Sequence, residues 1–153
     1  MPSTPLFAFG HGLSYTTFEY GPLDLVNDSV DVSGELRASL TVTNTGSMRG
    51  TEVVQRYAAD TAHGVTLPAQ QLIGFARVDL EPGASQAVTF TMPLSMLAYT
   101  GRTGTLVMEP GPVELSAGSS SDDIRAMATV TVTGEAREIK VEERAFLSKA
   151  TIT

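Results

Sequence analysis

The sequence predicts an all-β chain folded as an antiparallel β-sandwich, and three observations carry that reading. Apolar residues recur at every second position in several short runs, as in strands with one dry and one wet face. Turn residues separate those runs at regular intervals. No window of helical length sustains a 3.6-residue period. Short strands with regular turn signals are the pattern of a sandwich.

The elements follow in order. From Glu35 to Thr43 the apolar residues Leu36, Ala38, Leu40 and Val42 alternate with Glu35, Arg37, Ser39, Thr41 and Thr43. Asn44-Thr45-Gly46 ends that run as a turn. Glu52 to Asp60 is strand-like with less clean faces. From Gln71 to Leu80 the inward row is Leu72, Ala76, Val78 and Leu80, with Gly74 breaking it. Glu81-Pro82-Gly83 then turns the chain into Gln86 to Met92, where Val88, Phe90 and Met92 share a face. Pro93-Leu94-Ser95-Met96-Leu97 suits one turn of helix with proline at its start. Glu109-Pro110-Gly111 precedes Pro112 to Gly118, which offers Val113, Leu115 and Ala117. Ala126 to Thr133 sets Ala126, Ala128, Val130 and Val132 against Met127 and three threonines, and Gly134 closes it. Two stretches fit less well: the long connection Thr61 to Ala69, and a charged tail from Glu135 onward.

Composition sets the outer bounds. The chain has 153 residues, which suits one domain whose core needs no metal or disulfide staple. There is no cysteine, which excludes a disulfide framework, a thiolate metal site and a cysteine nucleophile. The compartment stays open, because a large β domain can be secreted without disulfides. A net charge of −7 with no basic run argues against nucleic acid and anionic membrane as partners. No apolar stretch approaches the ~18 residues that span a bilayer. Met1-Pro2-Ser3-Thr4-Pro5 has no basic leader and no long apolar run, so it reads as a start cut into a longer protein rather than a signal peptide.

The first twenty residues are the informative ones. Six Phe and four Tyr make up the aromatics, and five of these ten, Phe7, Phe9, Tyr15, Phe18 and Tyr20, lie there. Gly10 and Gly12 alternate among them and defeat a regular helix or strand. Rings in an irregular segment must be covered, since a large contiguous apolar patch is unusual on a free monomer. The segment either wraps its own sandwich or lies between it and a second domain.

The run from Pro5 to Phe18, Pro-Leu-Phe-Ala-Phe-Gly-His-Gly-Leu-Ser-Tyr-Thr-Thr-Phe, resembles the segment leading into the C-terminal fibronectin type III-like domain of family 3 glycoside hydrolases, the β-glucosidases, β-xylosidases and their relatives. Further matches follow in order: Val42 to Gly46, Gly50 to Tyr57, Leu72 to Val78 with Leu80 to Gly83, and Glu109 to Gly111 with Gly118 to Ile124. The resemblance implies an immunoglobulin-like sandwich of about seven strands. It divides the chain into a leading segment over 1–20 that packs toward a catalytic domain, a sandwich over 21–134, and a tail over 135–153 that is an extra edge strand or a link onward. Two positions depart from the family pattern. Arg56 stands where an aliphatic residue is usual and Ile73 where a basic one is usual, which reads as an altered contact surface.

The chemistry of the family does not come with the resemblance. Those enzymes are retaining glycosidases that use two carboxylates, and the nucleophile lies in a Ser-Asp-Trp sequence on a preceding barrel domain. This chain has no tryptophan, so that motif is elsewhere. No catalytic, cofactor-binding or metal-binding residue is assigned, and no cofactor is expected. Asp122-Asp123 and Glu142-Glu143 are neighbours on the chain, which on a strand sends them to opposite faces. Asn27, Asp28 and Asp31 lack the glycine and distal glutamate of a calcium loop and read as an acidic turn. His11 reads as a packing position whose ring bonds a backbone carbonyl, and His63 as a solvent-facing loop residue. Tyr99 is the best candidate for an exposed ring beyond the leading segment. One ring and no tryptophan imply weak or no autonomous sugar binding.

The functional expectation is a non-catalytic accessory module. Leu6, Phe7, Phe9, His11, Leu13, Tyr15 and Phe18 form the interface, and the partners are the catalytic domains of the same polypeptide, a β-glucosidase-type hydrolase. The rival reading is a free-standing carbohydrate- or protein-binding adhesion module, which the threonine-rich wet faces and negative charge would suit. A third assigns the connection Thr61 to Ala69 to a neighbouring catalytic site.

Overall fold

The computed structural model describes residues 5–60 and 69–153. Thirteen strands run in chain order among them: β1 Phe18–Tyr20, β2 Asp24–Leu25, β3 Ser29–Asp31, β4 Glu35–Asn44, β5 Gly50–Asp60, β6 Gln71–Leu80, β7 Ser85–Pro93, β8 Tyr99–Thr100, β9 Leu106–Met108, β10 Gly111–Gly118, β11 Ile124–Thr133, β12 Arg137–Glu138 and β13 Lys149–Ile152. Six of them (β4, β5, β6, β7, β10 and β11) have eight residues or more and carry the sandwich. One sheet runs β1-β4-β7-β13 with β2 also on β4, and the facing sheet runs β3-β11-β10-β5-β6. A small third sheet, β12-β9-β8, stands beside them. Pairing is antiparallel except between β3 and β11.

The period-2 rows explain why the two large sheets stack. On β4 the residues Leu36, Ala38, Leu40 and Val42 are all buried. Their cross-strand partners on β7 include Met92, Phe90 and Val88, so the two apolar rows lie directly opposite. Val113, Leu115 and Ala117 of β10 and Val130 and Val132 of β11 close the core from the facing sheet. Burying such a side chain contributes roughly 1.5–3 kcal/mol, so these rows outweigh any local preference of the loops. The expected helical turn is a 3-10 turn over Leu94–Leu97, which buries Leu94, Met96 and Leu97.

Two features differ from the sequence expectation, and a third finds its cause. The inward row of β6 is not continuous: the register shifts where Arg56 pairs with Gly74 and Tyr57 with Leu72. This bulge turns Ile73 into the core and leaves Leu72 half-buried. The unclean faces of β5 have a cause, because Val54 to Ala58 are buried on both faces: the facing sheet covers one, and the leading segment lies against the other at Gln55. Arg56 and Ile73 are core residues rather than a contact surface, both at 0% exposure. The Arg56 guanidinium lies 5.5 Å over the ring of Phe90, and none of its nitrogens has a hydrogen-bond partner among the described residues. Burial lowers its pKa from the ordinary guanidinium value to about 10.

The tail runs back over the sandwich. Arg137–Glu138 pairs with β9, Ser148 N–H donates to the Ile73 carbonyl at 3.0 Å, and Lys149–Ile152 adds antiparallel to β7. Residues 61–68, including His63 and most of the connection Thr61 to Ala69, lie outside the described residues.

Candidate functional site

The leading segment from Pro5 is pinned to the sandwich by its backbone, and its side chains point away. Gly10 sits at φ +78°, and a Cβ there would fall 1.9 Å from Gln55 Oε1. A glycine is therefore required twice over, by the left-handed backbone and by the close approach. The Gly10 carbonyl accepts from Gln55 Nε2 at 3.0 Å, and the same nitrogen donates to the Ser119 carbonyl at 2.6 Å. Tyr57 Oη donates to Gln55 Oε1 at 2.5 Å, fixing the amide from below. One residue earlier, the Phe9 carbonyl accepts from Ser121 N–H at 2.9 Å.

A second pin stands where the segment becomes β1. Asn44 is fully buried at the end of β4. Its Oδ1 accepts from Thr16 Oγ1 at 2.8 Å and from Gly46 N–H at 3.1 Å. Its Nδ2 donates to the carbonyls of Met48 at 2.8 Å and Leu80 at 2.9 Å. Every polar atom of the amide has a partner, so burial here carries no unmet hydrogen-bonding demand. A Cβ on Gly46 would meet Thr16 Oγ1 at 2.1 Å, which is why the Asn44-Thr45-Gly46 turn can lie against the leading segment.

Between these pins the apolar side chains are displayed. Tyr15 is 96% exposed, Leu13 94% and Phe7 65%, with Leu6 and Phe9 also open to solvent. His11 is exposed and its ring stacks on Phe7 with centroids 5.2 Å apart; its backbone N–H, not its ring, bonds the Ala8 carbonyl. Phe18 differs from the other six expected interface residues, since its ring is spent on the sandwich core. Beside the segment runs an open groove of about 1340 Å³, whose far wall includes Val53, Leu72, Phe75 and the loop around Ser119 to Asp123. Phe75 and Val53 extend the exposed apolar surface onto β5 and β6.

The groove lining also carries charged side chains. Asp123 accepts from Ser119 Oγ at 2.6 Å and from Arg125 Nη2 at 2.7 Å. Arg125, and secondarily Ser119, hold the Asp123 carboxyl below its usual pKa. Arg125 Nη1 also donates to the Phe18 carbonyl at 2.8 Å, and its guanidinium lies 5.1 Å over the Tyr20 ring. Burial raises the Tyr20 hydroxyl pKa, with Glu52 adding to it, and burial likewise raises Glu52. Glu52 Oε1 accepts from Val53 N–H at 2.9 Å.

The remaining candidates fall elsewhere. Tyr99 is half-buried on β8 with its hydroxyl bonded to Glu109, so it is no exposed sugar platform. Asp31 caps its own turn by accepting from Ser33 N–H at 3.0 Å and Ser33 Oγ at 2.6 Å. Glu143 is tied to Arg137 at 2.9 Å. Among the described residues no group of three or more histidine or acidic side chains converges on a point. Sequence reasoning missed Gln55, Glu52, Phe75 and Arg125. The one available signal was the blurred alternation of β5, which marks a strand covered on both sides.

Comparison with known proteins places this surface in context. Residues 52–121 match the family described as fibronectin type III-like domain. The chain is 42% identical over 127 residues to a β-xylosidase of Formosa agariphila, covering 82% of this chain and 18% of that one. It is 36% identical over 147 residues to thermostable β-glucosidase B of Acetivibrio thermocellus, covering 95% of this chain and 19% of that one. The structure of β-glucosidase 3B from Thermotoga neapolitana superposes with a TM-score of 0.80 at 37% identity, over 90% of this chain and 18% of that one. The chain thus spans less than a fifth of the length of these relatives.

Proposed function

The chain carries the fibronectin type III-like domain of family 3 glycoside hydrolases, and from that premise we propose that it is a non-catalytic accessory module that docks on the catalytic part of a β-glucosidase-type polypeptide. The observation that supports this is a leading segment whose backbone is fixed to the sandwich while Leu6, Phe7, Phe9, Leu13 and Tyr15 face outward. A fixed display loses little conformational entropy on association, so the apolar area it covers is realised as docking energy. Covering the rings of Phe7 and Phe9 contributes on the order of 5 kcal/mol before association costs, at ~25 cal/mol per Å². His11 stacks on Phe7 and holds that ring in the display.

The test is the double substitution Phe7→Ala and Phe9→Ala in the full-length polypeptide. Its melting temperature should fall while that of the 153-residue chain alone stays within a degree or two. An unchanged full-length melting temperature rejects docking. Calorimetry of the isolated chain against cello- and xylo-oligosaccharides addresses the adhesion-module reading; a clear isotherm would favour it.

A further inference from the structure

The groove beside the leading segment sets apolar side chains such as Leu6, Phe9, Leu13, Val53 and Phe75 beside carboxylates, and the two properties together define its occupant. Glu52, Asp122 and Asp123 line it together with a single arginine, Arg125. That arginine is already committed. Its Nε and Nη2 serve Asp123, its Nη1 serves the Phe18 carbonyl, and its face covers Tyr20. Glu52 has its bond from Val53 N–H and makes no ion pair among the described residues; the Arg125 charge, spent on Asp123, acts on it only at longer range. Asp122 is exposed and likewise has no ion-pair partner among them.

We propose that the groove receives a face of the adjoining catalytic part that presents a lysine or arginine among apolar side chains, the cation seating against the carboxylates of Glu52 and Asp122. This rests on the docking reading above and adds the chemistry of the partner. Closing the groove removes water from Glu52, whose carboxyl is already half-buried. A charge desolvated without a counterion is strongly unfavourable, whereas the same charge opposite a cation fixes the register of docking. A second copy of this chain fits poorly, because it would bring carboxylates against carboxylates between two molecules each of net charge −7.

The substitution Glu52→Gln separates the possibilities by sign. Glutamine keeps the acceptor for Val53 N–H and removes only the charge. In the isolated chain the melting temperature should rise, because a half-buried carboxylate is relieved. In the full-length polypeptide it should fall by a few degrees, and the fall should shrink in 1 M salt. Asp122→Asn should act in the same direction in the full-length protein. A rise or no change in both backgrounds overturns the cationic partner, and leaves docking intact if Phe7→Ala with Phe9→Ala still lowers full-length stability. Dimerisation of the isolated chain that Phe7→Ala abolishes would assign the groove to a second copy and also overturn the proposal.

Discussion

Replacing Arg56 with methionine should stabilise this domain, against the usual direction of core substitutions. The side chain is fully buried between the sheets, and its three guanidinium nitrogens have no acceptor among the described residues. Burial alone lowers its pKa from the ordinary guanidinium value to about 10, which reflects the cost of keeping the charge there. At ~1.36 kcal/mol per pK unit that cost is roughly 3 kcal/mol. The contact with Phe90 at 5.5 Å offsets part of it, about 1–2 kcal/mol for a desolvated cation over a ring. Methionine fills a similar volume without a charge, so the net gain should be about 1–2 kcal/mol, or roughly 2–8 °C in melting temperature for a domain of this size. Thermal unfolding of the isolated chain followed by circular dichroism at pH 7 reads it directly. The penalty exists only while Arg56 is charged in the fold. The gap between the two proteins should therefore narrow as pH rises above about 10, where the unfolded chain still binds the proton and the folded one has released it. Arg56→Lys, which keeps the charge, should give no gain. A loss of 2 kcal/mol or more for Arg56→Met would refute the reasoning, because it would mean that an acceptor serves the guanidinium in solution.

Three further outcomes follow from the pins and the charged side chains of the groove. Asn44→Ala should cost about 2–4 kcal/mol in urea unfolding, since it strands Thr16, Gly46, Met48 and Leu80 at once; a cost under 1 kcal/mol would contradict that network. Gly10→Ala places a methyl 1.9 Å from Gln55 Oε1, so it should release the leading segment and speed hydrogen exchange at the Ser121 amide, with little change in the exchange of β4 and β7. Asp123→Asn should flatten the acid limb of the stability curve. The depressed pKa of Asp123 contributes stability that is complete above its ordinary value of 3.8 and is lost as pH falls below it, and asparagine cannot titrate. An unchanged acid limb in that variant would contradict the Arg125 pairing.

The alternating rows fixed which residues face the core on β4, β7, β10 and β11, because a strand's two faces follow from spacing alone and one face had to be dry. The turn residues placed the breaks, and the motif order gave the family. What spacing could not say was what covers the outer faces. Gln55 is buried because Gly10 lies over it from 45 residues away, and Arg125 is committed because it reaches the Phe18 carbonyl across 107 residues. The bulge that sends Ile73 inward in place of Leu72 comes from the pairing of β5 with β6, not from either strand's own pattern. Arg56 shares its inward direction with Val54 and Ala58, but only the fold shows that Phe90 of the facing sheet covers it. Periodicity is a property of neighbours on the chain, whereas coverage and charge balance depend on contacts between distant segments, and only the folded arrangement decides those.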